Sequence, residues 1–167
     1  MVTAHKTAIP FRWRYIILPV VMLLVTLTII GFFYRILPRD VAYHFERGVP
    51  DGWVSRSAIV AGVLVTQALL TVLAVATVWV TIRLSARFPT IPTLLVEKVL
   101  TIMGNMVALP QIVLAFAMLN IFSYNAYQIR LMSPLVSALV VMALGLVVLG
   151  ALFAVAFRQV GAVRGKS

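Results

Sequence analysis

The chain has 167 residues, of which 63% are hydrophobic and 11% charged, and its mean hydropathy of +1.09 lies outside the usual range of water-soluble domains. It contains no cysteine, which excludes disulfide frameworks, thiolate metal sites and cysteine nucleophiles. The formal net charge of +10 comes from Lys and Arg scattered among the ends of apolar runs, with no basic tract or stripe, so it reads as membrane topology and not as nucleic-acid binding.

Four stretches reach the roughly 20 apolar residues that a helix needs to cross a bilayer. The first runs from about Tyr15 to Leu37, with Pro19 in its opening turn, where a missing N–H costs little. Lys6, Arg12 and Arg14 precede it as they would in a signal peptide. The run is longer than a signal core, however, and no small-residue cleavage site follows within Gly31 to Leu37, so a retained helix is expected. The second span covers about Ser57 to Ile82 and carries Ala58 and Gly62 at four-residue spacing, a pattern that admits a close neighbouring helix. The third, about Val99 to Phe122, holds Pro110, which deprives the Met106 carbonyl of its donor and predicts a kink. Asn105, Gln111 and Asn120 add polar groups that hydrocarbon cannot satisfy, so this helix is expected to turn them toward protein. The fourth begins at Ser133-Pro134, an N-cap followed by proline, and continues to about Phe157 with Gly150 and Ala154 as a second small pair. The fold class predicted is all-α: a four-helix transmembrane bundle in a single domain spanning 1–167, with an ordered extracytoplasmic loop between its first two helices.

Orientation follows from the basic residues. Lys6, Arg12, Arg14, Arg83, Arg87, Lys98, Arg158, Arg164 and Lys166 fall on one side of this topology. Arg35, Arg39, Arg47, Arg56 and Arg130 fall on the other, and nine against five places both tails in the cytoplasm. Trp13, Tyr15, Tyr34, Trp53, Tyr124 and Tyr127 lie near the expected span ends, where amphipathic rings favour the headgroup layer.

The loop from Pro38 to Arg56 holds three of the four acids and one of the two histidines. Val41, Tyr43 and Phe45 alternate with Ala42 and His44, which predicts a short extended segment with one apolar face. Pro50-Asp51-Gly52 predicts a turn: proline presets φ, aspartate bonds its own backbone and glycine tolerates the backbone angles that close it. Leu37-Pro38, His44-Phe45, Gly48-x-Pro50-Asp51-Gly52-Trp53 and the basic Arg56 together resemble the signature of the bacterial domain-of-unknown-function 1648 family. That signature runs from Leu-Pro through Ile-Pro-x-His-Phe to Gly-x-Pro-Asp-Gly-Trp and a lysine before the next helix. Here Val41-Ala42 replaces its isoleucine-proline, and Arg56 stands in place of its lysine, keeping the charge but changing the donor geometry. The resemblance covers about 20 residues directly, and the surrounding helix, loop, helix layout agrees with it. It implies a bacterial inner-membrane protein related to the N-terminal part of sporulation-delaying-toxin immunity proteins, which act as membrane receptors.

The residues weigh against several chemistries. His44, Glu46 and Asp51 are metal-ligand types, but no paired-histidine spacing accompanies them, so His44 is expected to anchor the loop by hydrogen bonding and Asp51 to stabilise its turn. A histidine on the outer face is also a candidate pH sensor. The polar residues of the third span are uncharged and read as inter-helix hydrogen bonding in preference to a solute path. Neither histidine lies in a span, which removes haem ligation, and no phosphate cradle or nucleophile elbow is present. No catalytic residue, metal or cofactor is expected. Two functions remain: a receptor or immunity-like binding module that uses the outer loop, with an extracytoplasmic ligand or a protein partner in the membrane, or an accessory subunit of a larger membrane complex that packs through its small-residue faces.

Overall fold

The computed structural model describes residues 9–46, 49–86 and 92–129, and the separate positions 136, 139, 140, 142, 143, 145–147, 150 and 154. A 3-10 turn at Trp13–Tyr15 leads into α1 (Ile17–Phe33). A hairpin of β1 (Asp40–Glu46) and β2 (Val49–Ser55) follows, and then come α2 (Arg56–Ser85), α3 (Thr93–Met106) and α4 (Ala108–Tyr127). The molecule is thus mostly helical with one small antiparallel sheet. Most of the fourth expected span, including Ser133-Pro134, lies outside the described residues. Gly150 and Ala154 are helical and exposed.

Pro110 breaks the third stretch in two. The break falls at Val107, one residue before α4 begins, which leaves Pro110 in the first turn of α4, where a missing N–H is tolerated. The helical stretch is also longer than expected, Thr93–Tyr127, so Lys98 belongs to α3 and not to the preceding loop. Arg56–Ser85 and Thr93–Tyr127 are long and apolar enough to cross a membrane; Ile17–Phe33 is apolar but shorter. Only 17% of the apolar window of α2 is buried inside the fold, whereas a helix in a water-soluble core is mostly buried.

α1 and the α3–α4 pair run in the same direction, and α2 runs back against them. Near the start of α1, Tyr15 and Ile16 pack with Ala74, Val78, Val96 and Leu100; near its end, Ile30 and Phe33 pack with Val60, Met118, Phe122 and the loop residues Leu37 and Val41. A polar layer separates these two apolar clusters. Gln67 Nε2 donates to Thr26 Oγ1 at 3.0 Å and to the Gln111 carbonyl at 3.1 Å, while Gln111 Nε2 donates to the Gln67 carbonyl at 3.3 Å and to Thr71 Oγ1 at 3.0 Å. Each glutamine therefore holds the other's backbone, and both are fully buried. This places Gln111 against protein as the sequence predicts, and adds Gln67, which its apolar surroundings do not reveal.

Ala58 and Gly62 are exposed among the described residues, none of which lies within 4 Å of a Cβ built on Gly62; a close helix approach falls instead at Gly104. At Gly104 such a Cβ would stand 2.2 Å from the Tyr15 carbonyl oxygen and 2.6 Å from Val78 Cγ2, so glycine lets α3 pass under the entry to α1. Tyr15, expected at the headgroup layer, is buried by this crossing. Asn105 completes the joint. Its Oδ1 accepts from Leu18 N at 3.0 Å and its Nδ2 donates to the Arg14 carbonyl at 3.0 Å, so a side chain on α3 satisfies an end of α1 that has no capping side chain of its own.

Two outcomes are expected for stability. Gly104→Ala should cost about 1–3 kcal/mol in detergent unfolding, because the obstacle is backbone, whereas Gly62→Ala should stay within about 0.5 kcal/mol. Gln67→Met should destabilise by about 1–3 kcal/mol, because Thr26 Oγ1 and the Gln111 carbonyl lose their buried donor while Gln111 keeps its own bonds to the residue 67 carbonyl and to Thr71.

Candidate functional site

The hairpin folds differently from its sequence pattern in two respects. Pro50-Asp51-Gly52 is part of β2 and not a turn, and the chain reverses between Glu46 and Val49. Proline is tolerated in β2 because the sheet has two strands and every strand in it is an edge. The expected alternation in β1 also fails: Val41 and Ala42 are both buried, while Tyr43 is exposed. Register shifts between Ala42 and His44 and between His44 and Phe45 interrupt the period, as bulges do.

These irregularities position the motif. His44 lies opposite Gly52, and a Cβ built on Gly52 would stand 2.9 Å from His44 Cβ and 3.2 Å from the Tyr43 ring. Glycine thus makes room for Tyr43 to lie across β2. His44 Nδ1 and Asp51 Oδ1 are 2.6 Å apart, so the histidine anchors the loop as predicted, with the aspartate as its cross-strand partner in place of a turn role. Both side chains are exposed, and the pair contributes geometry more than stability. Trp53 lies opposite Ala42 and is exposed; Phe45 packs edge-on against Tyr124, with ring centroids 4.7 Å apart, and lies opposite Pro50.

Two devices fix the hairpin to the helices. Asn125 on α4 takes both backbone groups of Ala42: its Oδ1 accepts from Ala42 N at 2.9 Å and its Nδ2 donates to Ala42 O at 2.8 Å. Arg56 closes the base. Its backbone N donates to Arg39 O at 2.8 Å, and its Nη1 donates to the carbonyls of Tyr34 and Leu37, each at 3.0 Å, which answers carbonyls left open at the end of α1. The same guanidinium lies 4.6 Å from the Tyr34 ring centroid. Ser55 caps α2 by accepting from Ala58 N at 3.3 Å. Pro38 is exposed in the connection between α1 and β1, and Gly48 lies outside the described residues.

Beneath the hairpin is a cleft of about 420 Å³. Tyr43, Trp53 and Val54 form its upper rim, Ile59, Gly62, Val63 and Thr66 of α2 line one wall, and Leu114 and Ile121 of α4 line the other. Of the predicted motif residues, Trp53 alone lines this open, mainly apolar cleft among the described residues; Tyr43 and Val54 beside it are not part of the motif, and Gly62 comes from the predicted small pair. Asn105, Pro110 and Gln111 lie elsewhere, in the joints described above; Asn120 is half-buried on α4. Tyr43 at the cleft and Asn125, Gln67 and Gly104 in the joints are residues that the sequence reading did not single out. Among the described residues no group of three metal-ligating side chains occurs, so His44 and Asp51 stand as a pair.

No family model matches the chain, and neither the curated proteins nor the solved structures provide a match.

If Asn125 holds the hairpin, Asn125→Leu should accelerate hydrogen exchange at the Ala42 amide by roughly tenfold or more, corresponding to loss of at least about 1.4 kcal/mol, with the α2 amides unchanged. Equal exchange at Ala42 in both proteins would refute that role.

Proposed function

We propose that the protein is a non-catalytic integral membrane protein that binds its partner through the 38–56 hairpin and the cleft beneath it. In this reading it is a four-helix bundle of the bacterial inner membrane, with the hairpin outside and both termini in the cytoplasm. Two helices of membrane-crossing length support the location, as does the exposed apolar surface of α2, including Val65, Leu69, Val72 and Leu73. The observation that carries the binding function is the pair of exposed rings at the cleft rim, Trp53 of the motif and Tyr43, for which Gly52 makes room. The immunity-like character of the module rests on the resemblance of the loop motif. The expected partner is an extracytoplasmic ligand or a membrane protein, alongside the lipid bilayer, and not a nucleic acid.

A specific feature favours a second reading. The Ala58/Gly62 face of α2 is open, and Gly150 and Ala154 are exposed as well, as an accessory subunit docking into a larger membrane complex requires.

The readings separate on substitution and on purification. With His44→Gln, Asp51→Asn and Trp53→Ala, the receptor reading expects loss of partner binding or of a toxin-resistance phenotype at unchanged membrane abundance. Stoichiometric co-purification with a large assembly in mild detergent, together with instability alone and no effect of the hairpin variants, would establish the subunit reading instead. Reporter fusions at the two tails should both read cytoplasmic.

A further inference from the structure

The end of the bundle opposite the hairpin carries a charge arrangement that neither reading uses. Arg12 and Arg14, on either side of Trp13, both reach Glu97 on α3: Arg12 Nη1 is 3.3 Å from Glu97 Oε1, and Arg14 Nη2 contacts Glu97 Oε2. One carboxylate holds two guanidiniums that would otherwise repel, and leaves the pair with a surplus positive charge. Glu97 is the more enclosed partner, with 23% of its side chain exposed, while Arg12 and Arg14 keep 47% and 50%. Each guanidinium has five N–H donors, more than the carboxylate can accept, so donors remain on the outer side.

The surroundings indicate what those donors meet. Among the described residues, Arg12, Arg14, Arg83 and Lys98 stand at this end against the single acid Glu97, whereas at the hairpin end Arg35, Arg39 and Arg56 stand with Asp40 and Asp51. Trp13, between the two arginines, is 73% exposed, and Arg83 lies 4.4 Å from the exposed Trp79 ring. Directly after Arg14 the chain enters α1, whose Ile17, Val21 and Leu24 are exposed at helical spacing and form a continuous apolar track leading away from the cations. Paired guanidiniums complement a phosphate, and the track complements an acyl chain.

We propose that Arg12, Trp13 and Arg14 form a headgroup site for an anionic phospholipid, whose tail lies along Ile17, Val21 and Leu24. The site rests on the membrane reading of the protein but is independent of the hairpin and its ligand. Glu97 holds the segment before α1 against α3 and takes up part of the donor set of both guanidiniums, so it competes with the phosphate and is not required for its binding.

The test uses the full chain purified in a neutral detergent, with lipid binding followed by native mass spectrometry and by thermal stability. Phosphatidylglycerol should bind roughly thirtyfold more tightly than phosphatidylcholine, the fold-change that about 1 kcal/mol per cation produces for two cations. Arg12→Gln with Arg14→Gln should bring phosphatidylglycerol down to the phosphatidylcholine level. Because those changes also remove the ion pairs, Glu97→Gln serves as the second variant: it breaks the pairs but keeps the cations, and its preference for phosphatidylglycerol should equal or exceed that of the parent. Equal binding of the two lipids, loss of the preference in Glu97→Gln, or its retention in the double arginine variant would overturn the site. The same stabilisation by inorganic phosphate alone would replace it with a simple anion site. A chain that stays monodisperse without detergent would remove the membrane reading and this one together, whereas a detergent-dependent chain without lipid preference removes this site only.

Discussion

Amide side chains bonded to backbone are the interaction on which this structure depends. Between apolar helices a buried backbone or side-chain polar group has to find its partner inside the protein, because apolar surroundings offer none. Three sets of amides supply such partners at three depths, although Gln67 Oε1 and Gln111 Oε1 are themselves buried with no partner among the described residues. Asn105 completes the start of α1, Gln67 and Gln111 lock α2 to α4 through each other's carbonyls, and Asn125 holds both backbone groups of Ala42 in the hairpin. Each ties together segments at least 40 residues apart in the chain. Apolar contact could supply comparable area between these helices, but it is non-directional. The amides define one axial register, because a slide of one helix past another would leave donors and acceptors unpaired.

That register has consequences at both ends. On the hairpin side, α4 is positioned so that Asn125 can hold β1, which brings Tyr43 and Trp53 over the space between α2 and α4. Arg56 adds a second constraint by linking the end of α1, the base of the hairpin and the start of α2 through one residue. On the other side, Gly104 and Asn105 fix where the segment before α1 crosses α3, and this crossing puts Arg12 and Arg14 within reach of Glu97. The cleft and the arginine pair are thus separate surfaces whose geometry has a common origin in the packing of the helices.

The motif residues of the loop are a mixture of supports and contacts. Gly52 and Arg56 are explained by close approach and by the hydrogen bonds that hold the hairpin, and the His44–Asp51 pair links its two strands from the solvent side. Tyr43 and Trp53 face outward at the cleft rim, and their exposure is not required by any contact described within the chain. Residues of the first kind shape the recess; residues of the second kind are available to whatever enters it.

Chain order and residue type alone determined that long apolar helices dominate this protein, that Pro110 interrupts the third of them, that Gln111 must face protein, and that His44 anchors the outer loop. These are local consequences: hydrocarbon needs length, proline lacks an N–H, and a buried amide needs a partner wherever it falls. The tertiary structure alone decided which partner. Nothing local distinguishes Gly104 from Gly62, yet only the former lies under another backbone. Nothing in the spacing of Pro50-Asp51-Gly52 tells a turn from a bulged strand until β1 is laid beside it. Gln67 and Glu97 likewise acquire their roles from residues at least 41 and 83 positions away, respectively. Such pairings belong to helix register and crossing points, which arise from the packing of distant segments and leave no periodic trace in the sequence.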